Sequence, residues 1–236
     1  VKIFAKIRFY WGLLVIAVVA GLMMIPLIAI FRKQKGIIIH RLNRLVIFLL
    51  GGKIHSKGTM DSNVDMFLLN HQSVCDIIAM EALQKNHLRW VAKQELFEMF
   101  YLGNLLKIGD MIGVKREDKR GLLKLLQEAQ YSRQTLKRPI AIFPEGTRAK
   151  GQKLLSFKQG AKIIAEKLDF RIQPVVITGS KTLLDEHKKV SQSSDIHIEF
   201  LPPIDVKDAP NSWYEDLQKE MQKIIDDALT NHNRSR

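Results

Sequence analysis

Val64-Asp65-Met66-Phe67-Leu68-Leu69-Asn70-His71-Gln72-Ser73-Val74-Cys75-Asp76 is the stretch that decides the fold. Residues 64–69 form a short, nearly continuous apolar run, the pattern of a buried strand. Residues 74–83 take up a helical pattern, with Ser73 in the position of an N-cap. A strand that turns directly into a helix belongs to a layered α/β architecture. His71 and Asp76 then flank the turn. Side chains on a regular helix meet at spacings of three and four, not five. This pair meets if His71 lies in the turn and Asp76 lies one turn inside the helix. The carboxylate would then accept a hydrogen bond from one ring nitrogen and leave the other basic.

Outward from this turn the same alternation continues. Strands are predicted at residues 88–92, 111–114, 140–143, 172–178 and 196–200. Helices are predicted at residues 95–108, 118–136, 158–168 and 213–229, the second with Leu122, Leu123, Leu125, Leu126 and Ala129 on one broad stripe. Strands alternating with helices of ten or more residues predict a mixed, largely parallel sheet flanked by helices. Residues 182–194 are polar and predict a loop or a short helix. No internal repeat or low-complexity linker interrupts the pattern.

Upstream lies a different kind of sequence. Phe9 to Phe31 carries no charged residue, while Lys2, Lys6 and Arg8 precede the run and Arg32, Lys33 and Lys35 follow it. A helix needs roughly 20 apolar residues to cross the hydrocarbon. Basic residues at both edges suit phospholipid headgroups. The run is longer than a signal-peptide core, and no small-x-small cleavage site follows it. Pro26 is expected to kink or break this helix. Residues 37–50 then set apolar positions against His40, Arg41, Asn43 and Arg44, as an amphipathic interfacial helix does. The expectation is an N-terminal hydrophobic helical membrane anchor over residues 1–53, either spanning the bilayer or dipped into one leaflet as a helical pair. A catalytic domain would follow over residues 54–236.

Composition narrows the partners. The chain has 236 residues, 46% hydrophobic and 26% charged, which is globular rather than disordered. Lys and Arg number 37 against 24 Asp and Glu, a net charge of +13, so the partner is polyanionic. The apolar N-terminus favours a membrane surface over nucleic acid, and no helix-turn-helix, finger or aromatic stacking motif supports the latter. One cysteine excludes an intrachain disulfide. The seven histidines form no zinc-like cluster with it, so no metal is expected. Neither G-x-x-x-x-G-K-[ST] nor G-x-G-x-x-G occurs, which leaves nucleotide hydrolysis and dinucleotide binding unsupported.

A second motif ends the strand predicted at residues 140–143: Phe143-Pro144-Glu145-Gly146-Thr147-Arg148. Open α/β sheets bind ligands at such strand ends. An arginine there suits bidentate phosphate recognition, and Gly146 permits positive φ or close backbone approach. Lys115 and Arg116 end another predicted strand. Cys75 lies four residues from His71, a spacing that permits a nucleophile and base, but its neighbours Val74, Ile77 and Ile78 place it in apolar surroundings where a thiol is inert.

In this order the motifs resemble those of the glycerolipid acyltransferases, and more narrowly the bacterial 1-acyl-sn-glycerol-3-phosphate acyltransferases. His71-x4-Asp76 within Asn-His-Gln-Ser is similar to the first family motif, and residues 143–148 to the third. Residues 174–177, Pro-Val-Val-Ile, resemble the fourth, and residues 90–96 the segment between the first and second. The resemblance covers roughly residues 55–205. It implies direct acyl transfer from acyl-acyl carrier protein or acyl-CoA to the sn-2 hydroxyl of lysophosphatidic acid, giving phosphatidic acid, with no cofactor and no metal. It implies His71 as the base and Asp76 as the group that orients it. Lys93, Arg116 and Arg148 would hold the substrate phosphate. Glu145, Gly146 and Thr147 would belong to the acceptor site, with Glu145 positioning Arg148 or the acceptor. It implies an inner-membrane location with the site facing the cytoplasm.

Two positions depart from the family pattern. The second motif is usually Gly-x-Ile-Phe-Ile-Asp-Arg, whereas residues 110–116 read Asp-Met-Ile-Gly-Val-Lys-Arg. Lys115 is then either a second phosphate ligand or a solvent-facing residue. Ala149 stands where the third motif is often followed by Ser. The alternatives are another acceptor (glycerol 3-phosphate or another lysolipid), a non-catalytic anionic-lipid-binding membrane protein, and a thioesterase using Cys75 and His71.

Overall fold

The protein is seen in a computed structural model that describes residues 2–115 and 119–234. Residues 2–30 form one largely apolar helical rod: α1 (Lys2–Val18), a π-helical segment (Val19–Met24) and α2 (Ile25–Ile30). Pro26 does not break it. Pro lacks an N–H and its ring crowds the preceding turn, and the wider π segment just ahead of it absorbs both defects. The break comes instead at Phe31 (φ −109°, ψ 58°), ahead of a 3-10 turn at Arg32–Gln34. The return helix α3 (Lys35–Leu49) matches the amphipathic segment expected there.

The elements that follow are β1 (Ile54–Lys57), β2 (Met66–Leu69), α4 (Cys75–Leu83), β3 (Arg89–Lys93), α5 (Phe100–Ile108), β4 (Ile112–Val114), α6 (Lys119–Tyr131) and β5 (Ile140–Ile142). They continue with α7 (Gln159–Lys167), β6 (Arg171–Thr178), α8 (Ser180–Leu183), β7 (Ile196–Phe200), β8 (Ile204–Asp205) and α9 (Trp213–Arg234). Among the described residues eight strands make one sheet, in the order β1-β7-β6-β2-β5-β3-β4, with β8 beside β6. β2 pairs in parallel with both β5 and β6, and β3 in parallel with both β5 and β4. β7 runs antiparallel to β6. The expected mixed, largely parallel sheet flanked by helices is borne out.

The strand period of two divides this sheet's side chains between two cores. Phe67, Leu69, Ala141, Val175 and Ile177 pack on one face with Phe9, Val15, Met24, Ile28, Ile39 and Val46. Met66, Leu68, Ile140, Ile142 and Val176 pack on the other with Leu125, Ile164, Leu217, Met221 and Ile225. The N-terminal helices therefore share a core with the sheet. One stripe of the rod (Ala5, Phe9, Gly12, Val15, Val19, Ile28) is covered, while Ile3, Phe4, Ile7, Trp11, Leu14, Leu22 and Ile30 are exposed. Phe48 on α3 lies beside Trp11, and α5, which carries the exposed Phe100, packs on α2.

Three local expectations differ from the structure. The helix expected at residues 95–108 is divided into a 3-10 turn (Gln94–Phe97) and α5, because Met99 takes an extended conformation (φ −69°, ψ 128°). The one expected at residues 118–136 becomes a π segment at Ser132–Leu136 and ends on Lys137 with φ 51°. β1 is an edge strand that the apolar pattern did not announce, since three of its four side chains are exposed.

Gly179 fixes the exit from β6. Its φ is 85°, and an added Cβ would lie 2.0 Å from the carbonyl oxygen of Asp195. A side chain there is strained twice over, by backbone conformation and by contact. Gly179→Ala is expected to lower unfolding free energy in urea by more than about 1 kcal/mol. A smaller loss would mean that this strand exit is not tightly specified.

Candidate active site

Parallel pairing brings the C-terminal ends of β2, β5, β3, β4 and β6 to one edge of the sheet, and the motif residues follow those ends. Asn70 leaves β2 buried, and its side-chain amide donates to the Ile177 carbonyl (2.8 Å) and accepts from the Ile177 N–H (2.6 Å). That pairing joins the end of β2 to the end of β6. His71 comes next.

The turn at residues 71–74 presents four successive backbone N–H groups, and each donates to a carboxylate. The His71 N–H meets Glu145 Oε1 at 2.7 Å. The Gln72 and Ser73 N–H groups meet Asp76 Oδ2 at 2.7 and 2.9 Å. The Val74 N–H meets Glu186 Oε1 at 2.7 Å. Ser73 has a second role as well as serving the helix start: its hydroxyl accepts from the Cys75 N–H (3.2 Å) and donates to the Leu184 carbonyl (2.7 Å).

His71 Nδ1 lies 2.9 Å from Asp76 Oδ2. Asp76 is in the first turn of α4, not one turn inside it, and its carboxylate bends back over the turn. Oδ2 already accepts two amide N–H groups, so Nδ1 is the donor of this pair and Nε2 keeps its lone pair. Asp76 Oδ1 is buried and finds no partner among the described residues. Phe143 stacks on the His71 ring (centroids 3.8 Å apart, 10° between planes), and Trp90 stacks on Phe143 at 5.2 Å. The Trp90 indole N–H donates to Glu81 Oε1 on α4 at 2.7 Å, which ties this aromatic stack back to the helix. The imidazole is thus fixed along one edge and one face.

Glu145 does not pair with Arg148. Its two oxygens accept the N–H groups of His71 and Leu155, both at 2.7 Å, and it is buried. Burial pushes its carboxyl up to about 7, against the pull of the two amides. Gly146 has φ 72° and closes a turn through its N–H to the Phe143 carbonyl (2.9 Å). The Ala149 N–H donates to the His71 carbonyl (2.9 Å), so the two motifs are stitched together in both directions. Arg148 reaches Glu186 instead, Nη1 to Oε1 at 2.6 Å. Thr147 is exposed.

Lys93 ends β3 and Lys115 follows β4, both exposed at the same sheet edge. Arg116 lies outside the described residues. Gly113 leaves room for Phe97, whose ring would lie 3.0 Å from an added Cβ, so an aromatic from the 3-10 turn Gln94–Phe97 fills space at the departure in the second motif. Cys75 is buried, and burial pushes its thiol up, away from the nucleophilic thiolate.

Two residues of the site escaped the sequence reading. Glu186 sits in the polar stretch 182–194, 112 residues from Val74 and 38 from Arg148. Lys181, buried just ahead of that stretch, donates to the carbonyls of Ala149 and Gly151 and so holds the loop beyond Arg148. Burial lowers the Lys181 ammonium from its ordinary range. No local pattern marks either residue, because their partners are all distant in sequence.

With this geometry in place, the comparisons with known proteins carry weight. The model of the Acyltransferase family matches residues 43–178, which include both motifs. The chain belongs to the acyltransferase family. It is 39% identical over 176 residues to the 1-acyl-sn-glycerol-3-phosphate acyltransferase of Helicobacter pylori (strain J99), covering 74% of each chain. To the enzyme of the same name from Cocos nucifera it is 25% identical over 201 residues, covering 85% of this chain and 64% of that one. The crystal structure of the 1-acyl-sn-glycerophosphate (LPA) acyltransferase from Thermotoga maritima superposes with a TM-score of 0.76 over 98% of this chain and 97% of that one, at 20% identity. That likeness shows the same fold for this acyltransferase.

The raised carboxyl of Glu145 sets a pH dependence. A folded-state pKa of about 7 against 4.5 in the unfolded chain means that the folded state holds the extra proton between those values. The contribution is present in full below pH 4.5 and is lost as pH rises through about 7. Glu145→Gln keeps one acceptor oxygen of two, so it is expected to cost about 1–3 kcal/mol and to flatten this slope. Urea melts at a series of pH values measure both. A Glu145→Gln slope equal to that of the wild type would place the titration elsewhere.

Proposed function

We propose that this acyltransferase moves a fatty acyl group from a thioester to the sn-2 hydroxyl of 1-acyl-sn-glycerol 3-phosphate, forming phosphatidic acid for phospholipid synthesis. The carrying observation is the His71–Asp76 pair, with Nδ1 donating at 2.9 Å and Nε2 left basic. The names of the Helicobacter and Cocos relatives support the choice of acceptor.

His71 Nε2 takes the proton from the acceptor hydroxyl as its oxygen attacks the thioester carbonyl. The imidazolium is stabilised by Asp76, whose carboxylate is held by two backbone amides. The tetrahedral intermediate collapses, the carbon–sulfur bond breaks, and the leaving thiolate recovers the proton from His71. No covalent enzyme intermediate forms, and the chemistry needs no metal or cofactor besides the acyl donor. That donor is an acyl-acyl carrier protein or acyl-CoA. Arg148, Lys93 and Arg116 hold the acceptor phosphate, with Gly146 and Thr147 beside it, while Glu145 acts through the His71 amide.

Residues 1–53 serve as the membrane anchor and residues 54–236 as the catalytic domain. The rod of residues 2–30 is long and apolar enough to cross a bilayer. One stripe of it is packed on the sheet domain, which favours a helical pair sunk in one leaflet. Trp11, Phe48 and Phe100 would enter the lipid, so the acceptor's acyl chain stays in the bilayer while its headgroup reaches His71. Withdrawing that chain into water would cost about 0.8 kcal/mol per methylene. We place the protein at the inner membrane with its site facing the cytoplasm, where the anionic leaflet would attract the basic surface.

Transfer from a radiolabelled thioester to lysophosphatidate in detergent micelles tests the reaction. Loss of the base in folded His71→Ala is expected to lower kcat by about 10²–10⁴. Asp76→Asn, with the wrong group facing Nδ1, is expected to fall in a similar range. Transfer by folded His71→Ala at the wild-type rate would overturn the mechanism, and transfer only to another acceptor would change the substrate. Trp11→Glu/Phe48→Glu/Phe100→Glu is expected to release the protein from anionic vesicles in sedimentation. Full retention would argue that the rod spans the bilayer.

A further inference from the structure

Glu186 holds two donors that suit a phosphate. Arg148 Nη1 and the Val74 N–H converge on the single oxygen Oε1, at 2.6 and 2.7 Å. The other oxygen, Oε2, is buried with no hydrogen-bond partner among the described residues. A carboxylate that leaves one oxygen dry and unpartnered is incompletely satisfied where it sits. Asp76 Oδ2 occupies the neighbouring amides, and Glu145 the one beyond. Any anion entering beside His71 therefore meets three carboxylates, and of these only Glu186 engages the arginine of the third motif.

We infer that Glu186 is a resident stand-in for the acceptor's phosphate: it holds Arg148 and the Val74 N–H and gives way when the phosphomonoester arrives. This rests on the reading that Arg148 meets that phosphate. Exchange is physically accessible because the ion pair is not sealed. The Arg148 side chain is 42% exposed and that of Glu186 is 18% exposed. The carboxylate rides on a loop, between α8 and β7, whose neighbours His187, Lys188 and Lys189 are exposed. Keeping Glu186 in place while a phosphate dianion binds Arg148 would set like charges side by side, so one anion replaces the other. The acceptor then pays for displacing Glu186, and a neutral acceptor, which cannot replace that charge, is disfavoured. Glu186 is in this sense a positioning and selectivity residue. It does not touch the reacting atoms.

Steady-state kinetics in micelles with the full chain test this. Glu186→Gln keeps the shape and an acceptor for Val74 but removes the charge. It is expected to lower the KM for lysophosphatidate about two- to fivefold, the scale of a part-exposed ion pair. The KM for the thioester donor should not move, and a merely structural role would not split the two. Glu186→Asp, which shortens the reach, should shift acceptor KM in the same direction and serves if Glu186→Gln does not fold. Inorganic phosphate, tested as an inhibitor competing with the acceptor, should tighten in parallel. An unchanged or raised acceptor KM in folded variants overturns the inference and makes Glu186 a permanent brace for Arg148. Tightening of inorganic phosphate alone overturns the headgroup as the displacing anion. Arg148→Ala separates the two layers: it should raise acceptor KM and abolish the effect of Glu186→Gln. An unchanged acceptor KM in Arg148→Ala would sink the phosphate role of Arg148 itself, whatever Glu186 does.

Discussion

Four consecutive backbone N–H groups at residues 71–74, each held by a carboxylate, are the constraint on which the site depends. A chain that leaves a buried strand and starts a helix exposes donors that no helical carbonyl can satisfy. A carboxylate taken out of water is costly unless it is hydrogen-bonded. Each need answers the other here. Asp76, Glu145 and Glu186 can be buried or half-buried because the turn supplies donors, and the turn can be tight because they accept. Asp76 uses the same oxygen to receive His71 Nδ1, so the placement of the imidazole is a by-product of solving the backbone problem.

This solution dictates which strands must be neighbours. Glu145 reaches the His71 amide only because β5 lies directly beside β2, and the stack of Phe143 on His71 follows from the same adjacency. Glu186 reaches Val74 only because β6 lies on the other side of β2, fixed there by the doubly hydrogen-bonded Asn70. β2 is fully buried between them, with Met66 and Leu68 facing one core and Phe67 and Leu69 the other. The functional edge is therefore made by three adjacent parallel strands, and the remaining strands widen and support it. The N-terminal helices lie over one face of this unit, which sets their exposed apolar stripe and the strand-end edge in a fixed relation.

What was legible in the sequence follows the range of each interaction. Strands β2, β5 and β6 are marked by their own apolar residues, and the His71–Asp76 relation is contained within one turn. Interactions between distant segments left no such mark. Glu145 stands three residues from Arg148, and a local pair was the natural expectation, yet burial of Glu145 between two amides turns it away. Glu186 looks like any solvated acid in a polar stretch until the fold brings it to Arg148. Pro26 distorts the helix without breaking it because its penalty is spread over a π segment, and β1 is not legible because an exposed edge strand needs few apolar residues.

Charge is organised on two scales. The chain as a whole carries +13, a positive far field of the kind that attracts anions before any contact is made. Within hydrogen-bond reach of the His71 turn the sign reverses, since Asp76, Glu145 and Glu186 surround it. A uniformly basic site would bind any phosphate tightly and hold it in many orientations. With Asp76 and Glu145 closing the amides of residues 71–73, the phosphate proposed above is left with the donors that Glu186 would give up, the Arg148 guanidinium and the Val74 N–H, and with the lysines at the strand ends. On that reading Asp76 and Glu145 act by exclusion: they keep the anion off the amides of residues 71–73 and leave the ring edge of His71 for a hydroxyl. In the proposed reaction the net positive surface supplies attraction and the acids around the turn supply direction, and neither alone would bring a phosphorylated lipid to rest with its hydroxyl, not its headgroup, against Nε2.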